Sequence, residues 1–183
     1  MLPNNLNFYI TDYNNVGNFH NKNITHWFTF NQPKSSYSLD LKQFGGAQVY
    51  SYQFHDVFDK SVHPVELVWP TVRDIMFIVD QANGIKKNLA RGEQINVLFN
   101  CFAGISRSTA AAYIVLNVIM GEWSERAIWT EVLNKRPIAR PNPLMVSIAD
   151  DHLNRNGKMM TPLKNCLDFL RRSDDSNESC LLF

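Results

Sequence analysis

The sequence predicts an α/β fold: one domain with a short, mostly parallel central sheet flanked by helices. Three observations carry that prediction. Ile95–Phe99, INVLF, is a run of mostly branched and aromatic residues without polar alternation, as expected of a strand buried on both faces of a parallel sheet. Ser108–Met120, STAAAYIVLNVIM, is almost wholly apolar and reads as a helix covered on most sides, with three consecutive alanines that permit close backbone approach. The chain has 183 residues and is 45% hydrophobic, ample for one core, whereas two independent domains would each be small.

The other elements follow in order. Asn7–Ile10 and His26–Phe30 are aromatic or β-branched between turn-formers and read as short strands. Residues 1–25 are rich in asparagine, which weakens propensity and predicts a loosely ordered edge. Gln48–Phe54 reads as a strand starting after Gly45 and Gly46, with a loop, HDVFDKSVHP, behind it. The aromatic cluster Tyr50, Tyr52, Phe54 and Phe58 is assigned to the core and its support. Pro70–Asn88 carries Val72, Ile75, Met76 and Val79 at helical spacing, with Thr71 a candidate cap. Gly121 ends the apolar helix. Ser124 starts the next, with Glu125 in its first turn and Trp129, Val132 and Leu133 on its inner face. The prolines of KRPIARPNP stop it, and Asn142 caps a last helix to about Asn154. No internal repeat is visible. A catalytic-type domain is expected over residues 1–170, best supported over 45–155, with a loosely ordered tail at 171–183.

Composition bears on several classes of function. The formal net charge is +1 and no long basic run occurs, so no nucleic-acid partner is implied. The histidines match no zinc spacing, and no metal or cofactor is expected. Three cysteines, Cys101, Cys166 and Cys180, make no disulfide framework and suggest a reducing compartment. The N-terminus lacks the basic and apolar regions of a secretory signal, and Asn, Arg or Gly breaks every long apolar stretch. The expectation is a cytoplasmic protein, with no membrane partner and a monomer as the default.

The segment NCFAGISRST, Asn100–Thr109, concentrates the chemistry. A strand delivers Cys101, five residues follow, and Arg107 opens the apolar helix. If the loop Phe102–Arg107 (Phe102, Ala103, Gly104, Ile105, Ser106, Arg107) curls, its successive N–H groups form an anion nest. Gly104 supplies positive φ and leaves room for the ligand. The helix adds its positive end, and Arg107 offers a planar fork to two phosphoryl oxygens. The same field favours a thiolate at Cys101 able to attack phosphorus, giving a phosphocysteine that water then hydrolyses. Ser108 stands where it can donate a hydrogen bond to the sulfur as it leaves. A nucleotide-binding glycine-rich loop fits poorly, because it ends in Gly-Lys-Ser/Thr and this one has no lysine.

CFAGISRST resembles the signature loop of the cysteine-dependent tyrosine phosphatases, of the small dual-specificity type. That family's pattern is His-Cys-x-x-Gly-x-x-Arg-Ser/Thr, and Cys101, Gly104, Arg107 and Ser108 match it. RPIARPNPLM, Arg136–Met145, is similar to the family's segment before its last helix, with Arg136, Pro137, Pro141 and Asn142 in place. The resemblance implies a tyrosine phosphatase-like fold, a phosphorylated protein as substrate, hydrolysis of phosphotyrosine with phosphoserine and phosphothreonine as further candidates, and a largely architectural role for the proline-rich segment. It also implies an aspartate upstream as general acid. Asp56, directly after the aromatic strand, is favoured and Asp59 is the alternative; as a plain reading of residues, either is a solvated loop carboxylate or a cap. His55 and His63 flank this loop as ordinary polar residues.

The chain departs from the pattern at Asn100, where the family has a histidine that orients the loop and helps keep the sulfur ionised. Asparagine offers a donor and an acceptor, enough to hold neighbouring backbone groups, but carries no positive charge. The expectation is a less acidic Cys101 than in a histidine-bearing relative, and a slower enzyme near neutral pH. Two alternatives stay open: a phosphopeptide-binding module without turnover, and a phosphatase of RNA 5′ ends, nucleotides or phosphoinositides. The absence of lysine or a second arginine in FAGIS weighs against the latter group.

Overall fold

The computed structural model describes residues 2–35, 38–58 and 66–164. Four strands form one sheet: β1 (Leu6–Asp12), β2 (His26–Asn31), β3 (Gln48–Gln53) and β4 (Ile95–Cys101), in the order β1-β4-β2-β3. Every pairing is parallel, so the sheet is more uniform than the mostly parallel one expected. β4 lies inside it, between β1 and β2, and all seven of its residues are buried. This is the double-sided burial that INVLF implies.

The two faces of the sheet are covered unequally. Ile95, Val97, Phe99 and Cys101 of β4 join Phe8, Phe28, Phe30 and Tyr52 in the main core. Over that face pack α1 (Val72–Ala90), α2 (Arg107–Ile119), α3 (Glu125–Lys135) and α4 (Pro143–His152). α2 is the central helix: all of its residues are buried, and Ala110, Ala111 and Ala112 are fully enclosed. The opposite face carries a smaller cluster of Val16, Ile24, Trp27 and Leu98. A 3₁₀ segment, Tyr13–Lys22, supplies Val16 to it. The asparagine-rich edge is therefore ordered rather than loose: Asp12 caps the 3₁₀ segment by accepting from the Asn15 backbone N–H at 3.1 Å.

Local chemistry sets the helix ends. Thr71 and Asp74 form a reciprocal capping box at the start of α1. Ser124 caps α3 and Asn142 caps α4, which runs to His152. Phe58 departs from its core assignment. It is 52% exposed, while Tyr52 and Phe54 are buried and Tyr50 is half-buried. The reason is position: Phe58 lies beyond the end of β3, in the loop that follows it. The tail 171–183, Cys166 and Cys180 lie outside the described residues. Among the described residues no helix is long and apolar enough to cross a membrane.

Candidate active site

Strand alternation decides what the end of β4 presents. Cys101 follows Phe99 onto the helix-covered face, and Asn100 follows Leu98 onto the other. Cys101 is 2% exposed and paired in register with Asp12 of β1. The next five residues curl back to the N-terminus of α2. Gly104 has a φ of +67°, and a Cβ there would stand 2.6 Å from the Thr11 carbonyl carbon and 2.7 Å from the Asp12 nitrogen. Only glycine fits that conformation against the backbone of β1.

The carbonyls of this loop are bound from outside. Phe102 O accepts from the Tyr13 N–H at 3.1 Å. Arg136 donates through Nη2 to Ala103 O and through Nε to Gly104 O, both at 3.0 Å. Ile105 O accepts from the Arg140 N–H at 2.9 Å, and Ser106 O from the Ala110 N–H at 2.9 Å. In a trans peptide the N–H points opposite to the preceding carbonyl. The amides of residues 103–107 therefore point away from these partners, toward the concave side of the loop. The segment from Arg136 to Asn142 acts as an outer brace for this nest, and the ion pair between Arg136 and Asp12, at 3.7 Å, extends the brace to β1.

α2 starts at Arg107, and the preceding Ser106 makes no side-chain capping bond to it. Its hydroxyl donates instead to Asp56 Oδ1 at 2.7 Å. Arg107 is 2% exposed; Nη1 donates to Phe54 O at 2.8 Å, and Nε stands 3.8 Å from Asp56 Oδ2. Asn142 Nδ2 donates to Asp56 Oδ1 at 2.8 Å and to Val57 O at 3.0 Å. Asp56 thus links three elements: the loop after β3, the start of α2, and the cap of α4. Ser108 Oγ lies 3.2 Å from Cys101 Sγ.

The structure brings Cys101, Ser106, Arg107, Ser108 and Asp56 together. Phe102 is 52% exposed at the rim, Ile105 is half-buried and Gly104 is buried. A cavity of about 110 Å³ borders the rim, lined by Tyr13, Asn31, Gln32, Ser35 and Phe102. Asp59 and His63 lie outside the described residues. His55 accepts at Nδ1 from the Val68 N–H at 3.0 Å, a loop-shaping role. Asn100 does not hold the backbone, as expected of it. Its Oδ1 accepts from the Trp27 indole N–H at 2.7 Å, and both side chains are 0% exposed. Sequence reasoning missed the Arg136 brace, Asp12 and Trp27. The fixed spacing of Arg136, Pro137, Pro141 and Asn142 was the available signal for the first; β1 and β2 offered none.

No protein-family model and no curated protein matches the chain. Solved structures do. The human tyrosine phosphatase-like serine/threonine/tyrosine-interacting protein aligns with a TM-score of 0.57 at 18% identity, over 81% of this chain and 92% of that one. Human DUSP28 aligns with a TM-score of 0.55 at 14% identity, over 81% and 92%. PTPMT1, solved in complex with PI(5)P, aligns with a TM-score of 0.53 at 16% identity, over 80% and 88%. The likeness is one of architecture: the chain has the α/β fold of the tyrosine and dual-specificity phosphatases, with Cys101 at the carboxyl end of an interior strand.

Proposed function

We propose that the protein is a cysteine-dependent phosphatase of phosphorylated proteins, with phosphotyrosine its first substrate class and phosphoserine and phosphothreonine the extension. The observation that supports the reading is the outward binding of the loop carbonyls, which turns the amides that follow them inward, as an anion site beside Cys101 would require. The Cys101 thiolate attacks phosphorus in line, a P–S bond forms, and the bond to the leaving oxygen breaks. The amides and the Arg107 guanidinium hold the equatorial oxygens as charge develops. Water then attacks the phosphocysteine and gives its proton to the aspartate that protonated the leaving oxygen, the P–S bond breaks, and Ser108 donates a hydrogen bond to the departing sulfur. Phosphate leaves and the thiolate is restored.

The leaving oxygen needs a proton. Asp56 is the proposed donor and Asp59 the alternative. Asp56 Oδ1 already accepts from Ser106 and Asn142, and Oδ2 faces Arg107. To deliver a proton Asp56 must leave these partners, an observation in favour of Asp59 as donor with Asp56 as the brace of Arg107. The same observation supports the second reading, a phosphopeptide-binding module.

The test is phosphate release from p-nitrophenyl phosphate and from a phosphotyrosine peptide. Cys101→Ser should abolish turnover in both, and Arg107→Lys should lower it by about 10²-fold or more. Asp56→Asn and Asp59→Asn are compared on aryl phosphates of differing leaving-group pKa. The acid's variant loses most on the poorest leaving group; the brace's variant loses equally on all. Wild type without turnover, with Cys101→Ser retaining the phosphopeptide, would establish the binding module instead.

A further inference from the structure

We propose that Trp27 and Asn100 are a linked pair that keeps position 100, next to the nucleophile in the chain and on the opposite face of the sheet, uncharged, so that Trp27 is a positioning residue that sets the charge state of that position. The inference deepens the phosphatase reading and rests on it for its catalytic meaning, but its chemistry is that of the thiol alone. An indole N–H only donates. Here it is 0% exposed, donates at 2.7 Å to Asn100 Oδ1, and packs edge-on against Phe44 at 5.1 Å. It therefore demands an acceptor at position 100. A carboxamide supplies one without charge. A neutral imidazole supplies one also, but an imidazolium presents N–H groups at both nitrogens and would set donor against donor where water does not reach.

Trp27 also holds the carboxamide alone. Among the described residues Asn100 Nδ2 is buried with no hydrogen-bond partner, and so is the hydroxyl of Thr29, its register partner on β2. The indole N–H is, among the described residues, the hydrogen-bond partner that fixes which way the carboxamide turns. The other ionisable groups around this point are accounted for. Around Cys101 stand Arg107 on α2 and Asp12 opposite on β1, with Asp56 and Arg136 behind them. On the Asn100 face, Tyr9 lies against Phe19 and His20 against Phe44, and Lys22, Asp40 and Lys42 are exposed at the edge. Arg107 and Arg136 are the cations on the Cys101 side, and among the described residues no ionisable group is bonded to Asn100. The consequence is that histidine cannot simply be restored at position 100 while Trp27 remains.

The experiment measures alkylation of Cys101 by iodoacetamide against pH, quantified on the Cys101 peptide so that Cys166 and Cys180 do not contribute. The proteins are wild type, N100H, W27F and W27F/N100H. N100H alone should leave the midpoint where it is in wild type. W27F/N100H should lower it by about 1 unit, the effect of a cation beside a thiolate. A midpoint lowered equally in N100H and in the double variant would overturn the proposal, and so would no shift in either. If W27F does not fold, N100H suffices: the indole ¹⁵N–H resonance of Trp27 should stay constant between pH 5 and 8, and its titration would show a protonated imidazole and refute the pair. Turnover of p-nitrophenyl phosphate by wild type is scored separately, so failure of the phosphatase reading is distinguishable from failure of this one.

Discussion

At Gly104 one methyl group sets the tolerance of the site. The residue combines positive φ with an approach to β1 in which a Cβ would meet backbone at 2.6 to 2.7 Å. Backbone cannot move aside as a flexible side chain can, so Gly104→Ala must push the loop off β1 and rotate the neighbouring amides away from the anion. The expected result is a loss of turnover of about 10²-fold, with the circular dichroism spectrum of wild type retained. Turnover within twofold of wild type would show that the nest geometry does not limit the reaction. Asn100 works at the same scale by another route. It joins an acceptor to the donor that Trp27 must place, and it does so without charge.

Between elements, the decisive contact joins the loop after β4 to the segment before α4. Arg136 covers two carbonyls of the loop, and Asn142 both caps α4 and holds Asp56. A brace of this kind spends no group on substrate; it keeps carbonyls from turning inward. Arg136→Met keeps much of the side-chain length and removes the donors. It should lower kcat/KM for p-nitrophenyl phosphate about tenfold, the effect of losing charged hydrogen bonds, with the alkylation midpoint of Cys101 unchanged. An undiminished kcat/KM would assign Arg136 to stability alone. The same contact shows what the sequence made legible. INVLF, the apolar helix and the spacing from Cys101 to Arg107 were readable because each is local: burial, period and loop length all lie within one segment. The partners of the loop were not: Asp56 is legible as a candidate acid but not its bonds to Ser106 and Asn142, and Asp12 and Trp27 come from two other strands through register that no local pattern encodes. The 3₁₀ segment escaped for a related reason. Its order comes from the Asp12 cap and from Val16 packing beneath the sheet, against a propensity that points to disorder.

For the molecule as a whole, the unequal covering of the sheet separates two tasks. The helix-covered face supplies most of the core, and the carboxyl ends of the strands gather the site, as is general for parallel sheets. The amino ends carry a group that makes global stability depend on pH. His26 opens β2, is 4% exposed, stacks against Tyr50 at 6.3 Å, and has Nδ1 2.9 Å from Thr25 Oγ1. Burial holds its pKa below the ordinary 6.5, and the charge of Glu93 offsets part of that effect. In the unfolded chain His26 titrates near the ordinary value, so below that pH the unfolded state binds more protons than the folded one. Stability then rises with pH: the contribution is intact above the unfolded pKa and is lost as pH falls through 6.5 toward the depressed folded value. His26→Gln removes the titration while keeping a polar side chain of similar reach. Urea unfolding followed by tryptophan fluorescence should show wild type losing more stability than His26→Gln between pH 7.5 and pH 5.5. Carboxylate titration is common to both proteins and cancels in the difference. Parallel profiles would mean that His26 is protonated as readily in the fold as out of it, and would place the acid sensitivity of the protein elsewhere.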